Sequence, residues 1–338
     1  MKTADYKMFV GIDQSKLTVD VAVIDAQKPD MFRHQKFDNN KSGFDRMFAW
    51  LSECGVLSLN QVLFCAEHTG LYSLALSVYL AQKQAHFWLE APLQIKLSAG
   101  MKRGKNDKAD AIEIARYAMV HHHQARLYKL PAKTILALQQ LLSFRERLIR
   151  YQKSLKTASG ELQELDADIT GFIGKESQSL LRTLDKKLEA LDRKMMELIE
   201  QDEQLGKQFD LVKSVHGVGK QTALFVLVYT NCFTSFSDWR KFACYCGIAP
   251  FEYSSGTSIR GKTRVSHLGN RKLKSLLTMC ALNTLKKDNE FKLYYDRRIA
   301  QGKSAMSTIN IIRNKIVSRI FAAIKRGTPY IPQLKSAA

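Results

Sequence analysis

Apolar and polar positions come in short bursts over the first 40 residues of the chain. Residues 8–13 (MFVGID) form an apolar run that stops at Asp13, 17–24 form a second after a polar turn at 14–16, and 31–37 suit a third strand. Short apolar runs parted by turn residues predict an antiparallel meander. The period then lengthens. Residues 42–54 place Phe44, Met47, Phe48 and Leu51 at helical spacing, with Ser42 as a candidate N-cap. Residues 61–66 (QVLFCA) read as a buried strand closing on Glu67, 71–83 as a helix, 85–89 as a strand and 111–120 as a helix. Three strands followed by alternating helix and strand predict an α/β domain of about 120 residues.

The pattern changes again between 136 and 205. Leu141, Leu148, Leu155, Leu162 and Ile169 repeat every seven residues, as do Phe144, Tyr151, Ala158, Leu165 and Phe172. After a predicted break at Gly171 and Gly174, Leu184, Leu191, Leu198 and Leu205 repeat, with Leu188 and Met195 between them. Heptads of this kind predict two long helices in an antiparallel hairpin, a coiled-coil spacer that separates domains or pairs subunits. Further on, 234–247 reads as a helix, and 273–286 and 308–326 as basic amphipathic helices. With Pro131 as a boundary signal after His121, His122 and His123, the reading is α/β plus α in three parts. An α/β domain covers 1–130, the two-helix spacer 131–210, and a mainly helical domain 211–338.

Composition leaves this picture intact and charge sharpens it. With 338 residues, 45% hydrophobic and 25% charged, the chain suits a globular protein of two or more domains. No apolar run approaches membrane-spanning length and the first residues lack a signal-peptide core, so a cytoplasmic protein without a membrane partner is expected. The cysteines at 54, 65, 232, 244, 246 and 280 fit neither a disulfide framework nor paired zinc spacing, and Cys244 and Cys246 are expected to be buried thiols. Net charge is +20, and from 253 to 338 there are 18 Lys and Arg against three acidic residues, a surplus of 15. Such a surplus in the last quarter of the chain indicates a polyanionic partner, nucleic acid before membrane. Residues 133–210 carry 13 basic and 14 acidic residues, a salt-laced surface and no nucleic-acid patch.

Three groups of residues carry candidate chemistry. Asp13 and Glu67 follow apolar strands, where open α/β sheets place ligands. Asp107 and Asp110 open a helix in KNDKADA, three residues apart and so on one face. Carboxylates about 4 Å apart repel by about 4 kcal/mol per pair at an effective dielectric near 20. A cluster of four therefore implies a divalent cation, Mg²⁺ or alternatively Mn²⁺, which favour carboxylate and phosphate oxygens. The competing reading makes Asp13 a turn cap and the other two partners of the helix dipole. In 211–227 (LVKSVHGVGKQTALFVL), Gly217, Gly219 and Lys220 resemble a helix-hairpin-helix turn that offers backbone N–H groups to a phosphate.

The third group is 251–274, FEYSSGTSIRGKTRVSHLGNRKLK. Two serines stand among Arg260, Lys262, Arg264, His267, Arg271 and Lys272, with no carboxylate after Glu252. A serine set among cations suits attack on a phosphodiester, because the cations hold the charge that builds on its oxygens. Gly256, Gly261 and Gly269 predict a loop gripping a polyanion. The alternative is a basic hairpin that rests on nucleic acid without chemistry.

Together these motifs resemble the insertion sequence 110 (IS110) transposases and their pilin-gene invertase relatives, nearly end to end. GID at Asp13, AEHTG at Glu67 and KNDKADA at Asp107 and Asp110 match that family's Asp-Glu-Asp-Asp set, although His68 stands where a small residue is expected. GIAPFEYSSGTSIRGKTRVSHLGNRKLK is similar to its C-terminal signature. The resemblance implies a ribonuclease-H-like (RuvC-like) first domain with a Mg²⁺ site, and Ser255 as nucleophile, with Ser254 as its neighbour. It further implies a bacterial, nucleoid-associated DNA recombinase acting on donor and target DNA through a serine–phosphate intermediate. A structured non-coding guide RNA (a bridge RNA) and a dimeric or tetrameric assembly are implied as well. Two other readings compete: a RuvC-like nuclease cutting branched DNA with water, and a non-catalytic scaffold resting on charge.

Overall fold

The apolar bursts at the start of the chain become β1 (Met8–Gln14), β2 (Thr18–Asp25) and β3 (Lys28–Asp38), an antiparallel meander. The structure, a computed structural model, describes residues 5–68, 72–100, 106–161, 167–255, 259–286 and 288–332. Beyond the meander, β4 (Val62–Glu67) pairs in parallel with β1, and β5 (His86–Glu90) in parallel with β4. The five-stranded sheet therefore has the order β3-β2-β1-β4-β5, with β1 at its centre. β1 and β4 read as near-continuous apolar runs because both of their faces are covered.

α1 (Lys41–Glu53) and α2 (Tyr72–Gln82) cover one face, packing Phe44, Met47, Leu51, Leu76 and Leu80 on Val10, Ile12, Val21 and Phe64. Asn40 caps α1 in place of the expected Ser42, its side chain accepting from the Gly43 amide at 2.9 Å. A short helix that the sequence pattern had not shown, α3 (Pro92–Ala99), starts on Pro92; eight residues hold too few periods to read. α4 (Asp107–His121) covers the other face, with Ala111, Ile114, Ala115 and Ala118 against Phe9, Ala22, Ile24 and Leu63.

The chain divides into two compact units, Met1–Leu130 and Pro131–Ala338. The second opens with α5 (Lys133–Glu161) and α6 (Ala167–Glu200), which run antiparallel: Arg145 bonds to Asp192 at 2.7 and 3.2 Å, and Gln152, a turn or two further on, to the earlier Asp185. α6 continues through Gly171 and Gly174, where a break was expected. A helical glycine costs about 1 kcal/mol, too little to end a long helix. Of the predicted heptad positions, Phe144, Tyr151, Ile169 and Phe172 face solvent, and Leu162 and Leu165 lie outside the described residues.

One buried cluster joins Ile135, Leu138 and Leu142 of α5 and Met195 and Ile199 of α6 to the elements that follow. These are α7 (Glu203–Lys213), α8 (Lys220–Thr230), α9 (Trp239–Tyr245), α10 (Arg271–Thr284) and α12 (Ala305–Arg326), with α11 (Glu290–Ala300) between the last two. The core runs across residue 210 without interruption. The serine-rich stretch is not an extended loop. It folds as an antiparallel ribbon of β6 (Pro250–Ser255) and β7 (Ile259–Val265) and then enters α10. Cys246 is buried but Cys244 is exposed, since two residues along a helix turn to different sides. No helix among the described residues is long and apolar enough to cross a membrane.

Candidate active site

Gly11 decides how near α4 comes to β1. A Cβ at that position would lie 2.2 Å from both the Ala111 carbonyl oxygen and the Ala115 amide nitrogen. Backbone therefore rests on backbone, and the first turn of α4 reaches the end of β1 where Asp13 stands. Carboxylate oxygens of Asp13, Asp107 and Asp110 lie within 4.8 Å of one another. The i, i+3 spacing on one helix face does what the sequence predicted. Glu67 ends β4, one residue past the Ile12–Ala66 pairing, and so lies at the same end of these two parallel neighbours as Asp13. It stands outside the close triad but adds its charge to Asp13.

Asp13 registers that charge. Burial raises its carboxyl first, then Asp110, Asp107 and Glu67 in turn, to about 6 from a usual 3.8; only the Gln14 amide opposes them. The competing turn-cap reading has other occupants. Ser15 holds the turn after β1, its hydroxyl donating to the Thr18 carbonyl and accepting from the Thr18 amide, and Asn106 caps α4 by accepting from the Lys108 amide at 3.0 Å. Three hard oxygen donors crowded this way fit a divalent ion such as Mg²⁺ or Mn²⁺.

Three residues beside the cluster escaped the sequence reading. Asp20 is the cross-strand partner of Asp13 and is buried; it bonds to His34 at 2.9 Å and to Lys36 at 3.2 Å. The Lys36 ammonium also lies 3.8 Å from Asp107. The alternation of β2 and β3 could have placed Asp20, His34 and Lys36 on one face, but only once the register was known. His121 ends α4, His122 and His123 open the short 3-10 turn that follows, and none of the three joins such a cluster among the described residues.

The ribbon is pinned at its base. Gly247 and Gly269, which precede β6 and follow β7, touch backbone to backbone: a Cβ on Gly269 would lie 2.3 Å from the Gly247 Cα. Asn310 and Asn314 of α12 both donate to the Ile248 carbonyl, at 2.9 and 3.0 Å. Asn270 caps α10 through the Leu273 amide, and its own amide donates to the Tyr245 carbonyl. Ser254 pairs with Arg260 and Ser255 with Ile259, so the serines lie at the far end of the ribbon. Residues 256–258, Gly256 among them, lie outside the described residues, as do the side chains of Ser254, Ser255, Arg260 and Lys262.

The remaining predicted contacts separate into two kinds. Arg264, His267 and Arg271 are exposed beside the ribbon. Lys272 turns inward, with its ammonium 2.8 Å from Glu146 and over the Phe225 ring. Gly217 has φ +81°, and a Cβ there would meet the Cys280 carbonyl oxygen at 2.5 Å, so it serves close packing on α10. Gly219 caps α8. Lys220 and Gln221 share a groove with Glu189, Asp192, Glu197 and Glu200, which is acidic ground beside the glycine turn.

Residues 209–296 match the Transposase IS116/IS110/IS902 family, and residues 10–161 match a second transposase family, that of the DEDD transposases of IS110. The chain belongs to the IS110 family of transposases. The match over 10–161 spans all four acids of this transposase, and the match over 209–296 spans its serine ribbon. Over 328 residues, 96% of this chain and 98% of the relative, the transposase is 25% identical to the pilin gene-inverting protein of Moraxella lacunata, and equally to that of Moraxella bovis. A stretch of 120 residues, 36% of this chain and 29% of the other, is 36% identical to the "Insertion element IS110 uncharacterized 43.6 kDa protein" of Streptomyces coelicolor. An IS110-family transposase is a DNA-cutting recombinase, and DNA is its substrate.

Proposed function

We propose that this transposase exchanges DNA strands through a covalent serine–phosphate intermediate, with Ser255 as nucleophile and the acidic cluster working on the same phosphodiester. The observation that carries the reading is the place of Ser255. It ends β6 on a ribbon pinned at its base, in a stretch with no carboxylate from 253 to 287. In the step, the Ser255 oxygen forms a P–O bond while the bond to the departing sugar oxygen breaks. The serine proton ends on that departing hydroxyl. The number of phosphate ester bonds is unchanged, so rejoining to a second strand needs no ATP. A divalent ion, Mg²⁺ or Mn²⁺, held by Asp13, Asp107 and Asp110 with Glu67 beside them, would supply Lewis-acid charge on the phosphate oxygens. Arg264 and Arg271, with Arg260 and Lys262 on the same stretch, would hold the flanking phosphates.

The central β1, with an antiparallel meander on one side and parallel strands on the other, supports a ribonuclease-H-like, RuvC-like first domain. The basic last quarter of the chain supports a polyanionic partner beyond the cut strand, and we assign that role to a structured guide RNA paired with donor and target DNA. Phe144, Tyr151, Ile169 and Phe172, exposed along α5 and α6, support pairing of these helices between subunits in a dimer or tetramer.

The test is a suicide substrate with a nicked strand, resolved on a denaturing gel, with the linked peptide identified by mass spectrometry. The parent should give an adduct on Ser255. Ser255→Ala should bind DNA normally yet form no adduct, and Asp13→Asn should also form none. Cut ends free of protein in the parent would overturn the serine step and favour a RuvC-like nuclease that uses water.

A further inference from the structure

The ribbon carries a second feature that the serine step does not use. Phe251 is 50% exposed and Tyr253 is 67% exposed, an aromatic pair turned to solvent two residues apart on β6. The ribbon's register shifts between these two residues, yet both line the same concavity. Tyr253 is held in place, because it pairs across the ribbon with Gly261, and a Cβ at Gly261 would lie 2.8 Å from its Cδ1 and 3.3 Å from its Cβ. The ring thus leans on bare glycine backbone and leaves its other side open. Phe251 pairs with the exposed Arg264, and Phe251, Tyr253, Gly261, Arg264 and Val265 line one shallow concavity together with Glu252 and Ser266.

An aromatic face of this size needs a partner, and its surroundings select one. Arg260, Lys262 and Arg264 share the ribbon with the single carboxylate of Glu252. An exposed aromatic face with Arg264 beside it, in a stretch of sequence rich in cations, matches an unpaired nucleotide, whose base stacks on a ring while its phosphate meets an arginine.

We propose that Phe251 and Tyr253 form a stacking platform for unpaired bases of the DNA strand being cut. This rests on the reading that the end of β6 carries the nucleophile. At 3.2–3.4 Å per strand residue, Ser255 lies about 7 Å beyond Tyr253, about two base steps of a stacked strand. The platform would hold open the bases next to the scissile phosphate and set which phosphate meets Ser255.

The test uses the full-length transposase and single-stranded oligonucleotides carrying 2-aminopurine, whose fluorescence falls on stacking, beside a fully paired duplex control. The parent should quench the probe. Tyr253→Ala should abolish the quench and weaken single-strand binding about 5- to 150-fold, the loss of one stacked base. Gly261→Ala, which pushes the ring off its seat, should act in the same direction, while Tyr253→Phe and Tyr253→Trp should keep the quench. Duplex affinity and the salt slope should stay near parental values, because no phosphate contact is removed. Adduct assays on the same variants separate this proposal from the serine step. Quenching without an adduct in the parent would leave the platform standing and remove the nucleophile. An adduct with an unquenched probe, or parental single-strand affinity in Tyr253→Ala, would overturn the platform. A change in sedimentation of Phe251→Ala/Tyr253→Ala with quenching intact would overturn it too, making the face a subunit contact.

Discussion

Gly11→Ala tests whether the acidic cluster depends on the approach of α4 to β1. The added Cβ would stand 2.2 Å from two backbone atoms of the helix, Ala111 O and Ala115 N. No side chain can rotate away, so helix and strand must part. Reaching 3.0 Å needs about 0.8 Å of movement and ordinary contact at 3.4 Å needs about 1.2 Å. Overpacking of this kind costs about 1–3 kcal/mol, which should lower the melting temperature of the first unit by several degrees. The movement carries Asp107 and Asp110 off Asp13. A misplacement near 1 Å at a reacting centre costs on the order of 100-fold in rate. Strand cleavage should therefore fall about 100-fold in Gly11→Ala, and the Mg²⁺ concentration for half-maximal cleavage should rise. The assay is cleavage of a labelled duplex across a Mg²⁺ titration, with thermal unfolding followed in parallel. Gly171→Ala is the control: nothing lies within 4 Å of that position, so it should leave cleavage unchanged and slightly stabilise α6. Parental cleavage and parental melting in Gly11→Ala would refute the backbone-contact argument.

Asp13 should make the first unit less stable as pH rises in the absence of divalent ions. Its folded carboxyl titrates at about 6 against 3.8 unfolded, so the folded state binds the extra proton between those values. Stability should be highest below about pH 4 for this group, fall through pH 6 and stay lower above it. A rise of that size corresponds to at most about 3 kcal/mol, reduced to about 1 by solvent screening at a partly exposed group. Asp13→Asn should flatten the dependence in hydrogen exchange of β1 while abolishing cleavage, and an unchanged slope would refute the shift. Lys36 competes with any cation for Asp107, so Lys36→Met should lower the Mg²⁺ concentration for half-maximal cleavage by up to about 5-fold; a rise would refute that competition. Arg264→Ala and Arg271→Ala should each reduce the log–log salt slope of duplex binding by about 0.9. Lys272→Ala should leave that slope unchanged and cost about 1 kcal/mol of stability, because its ammonium is spent on Glu146; a reduced slope would place Lys272 on a phosphate instead.

Local patterns were legible in the residues because the forces behind them act over a few positions. Short apolar runs parted by turn residues marked the meander, heptads marked α5 and α6, and the three-residue spacing put Asp107 and Asp110 on one face. The charge surplus after residue 253 likewise needed no coordinates to point to a polyanion. What depends on distant segments meeting was not legible. Gly11 reads as one small residue in a strand until α4, 100 residues later, lies on it. Asp20, His34 and Lys36 look like scattered surface charges until the β2–β3 register stacks them beside Asp13. Lys272 looks like one more phosphate contact until α5 brings Glu146 to it. Periodicity gives each element its buried side, but strand register, crossover and helix approach are settled by packing between elements far apart in sequence. Those contacts chose which three of the four predicted acids crowd together, and turned the serine stretch from a loop into a pinned ribbon.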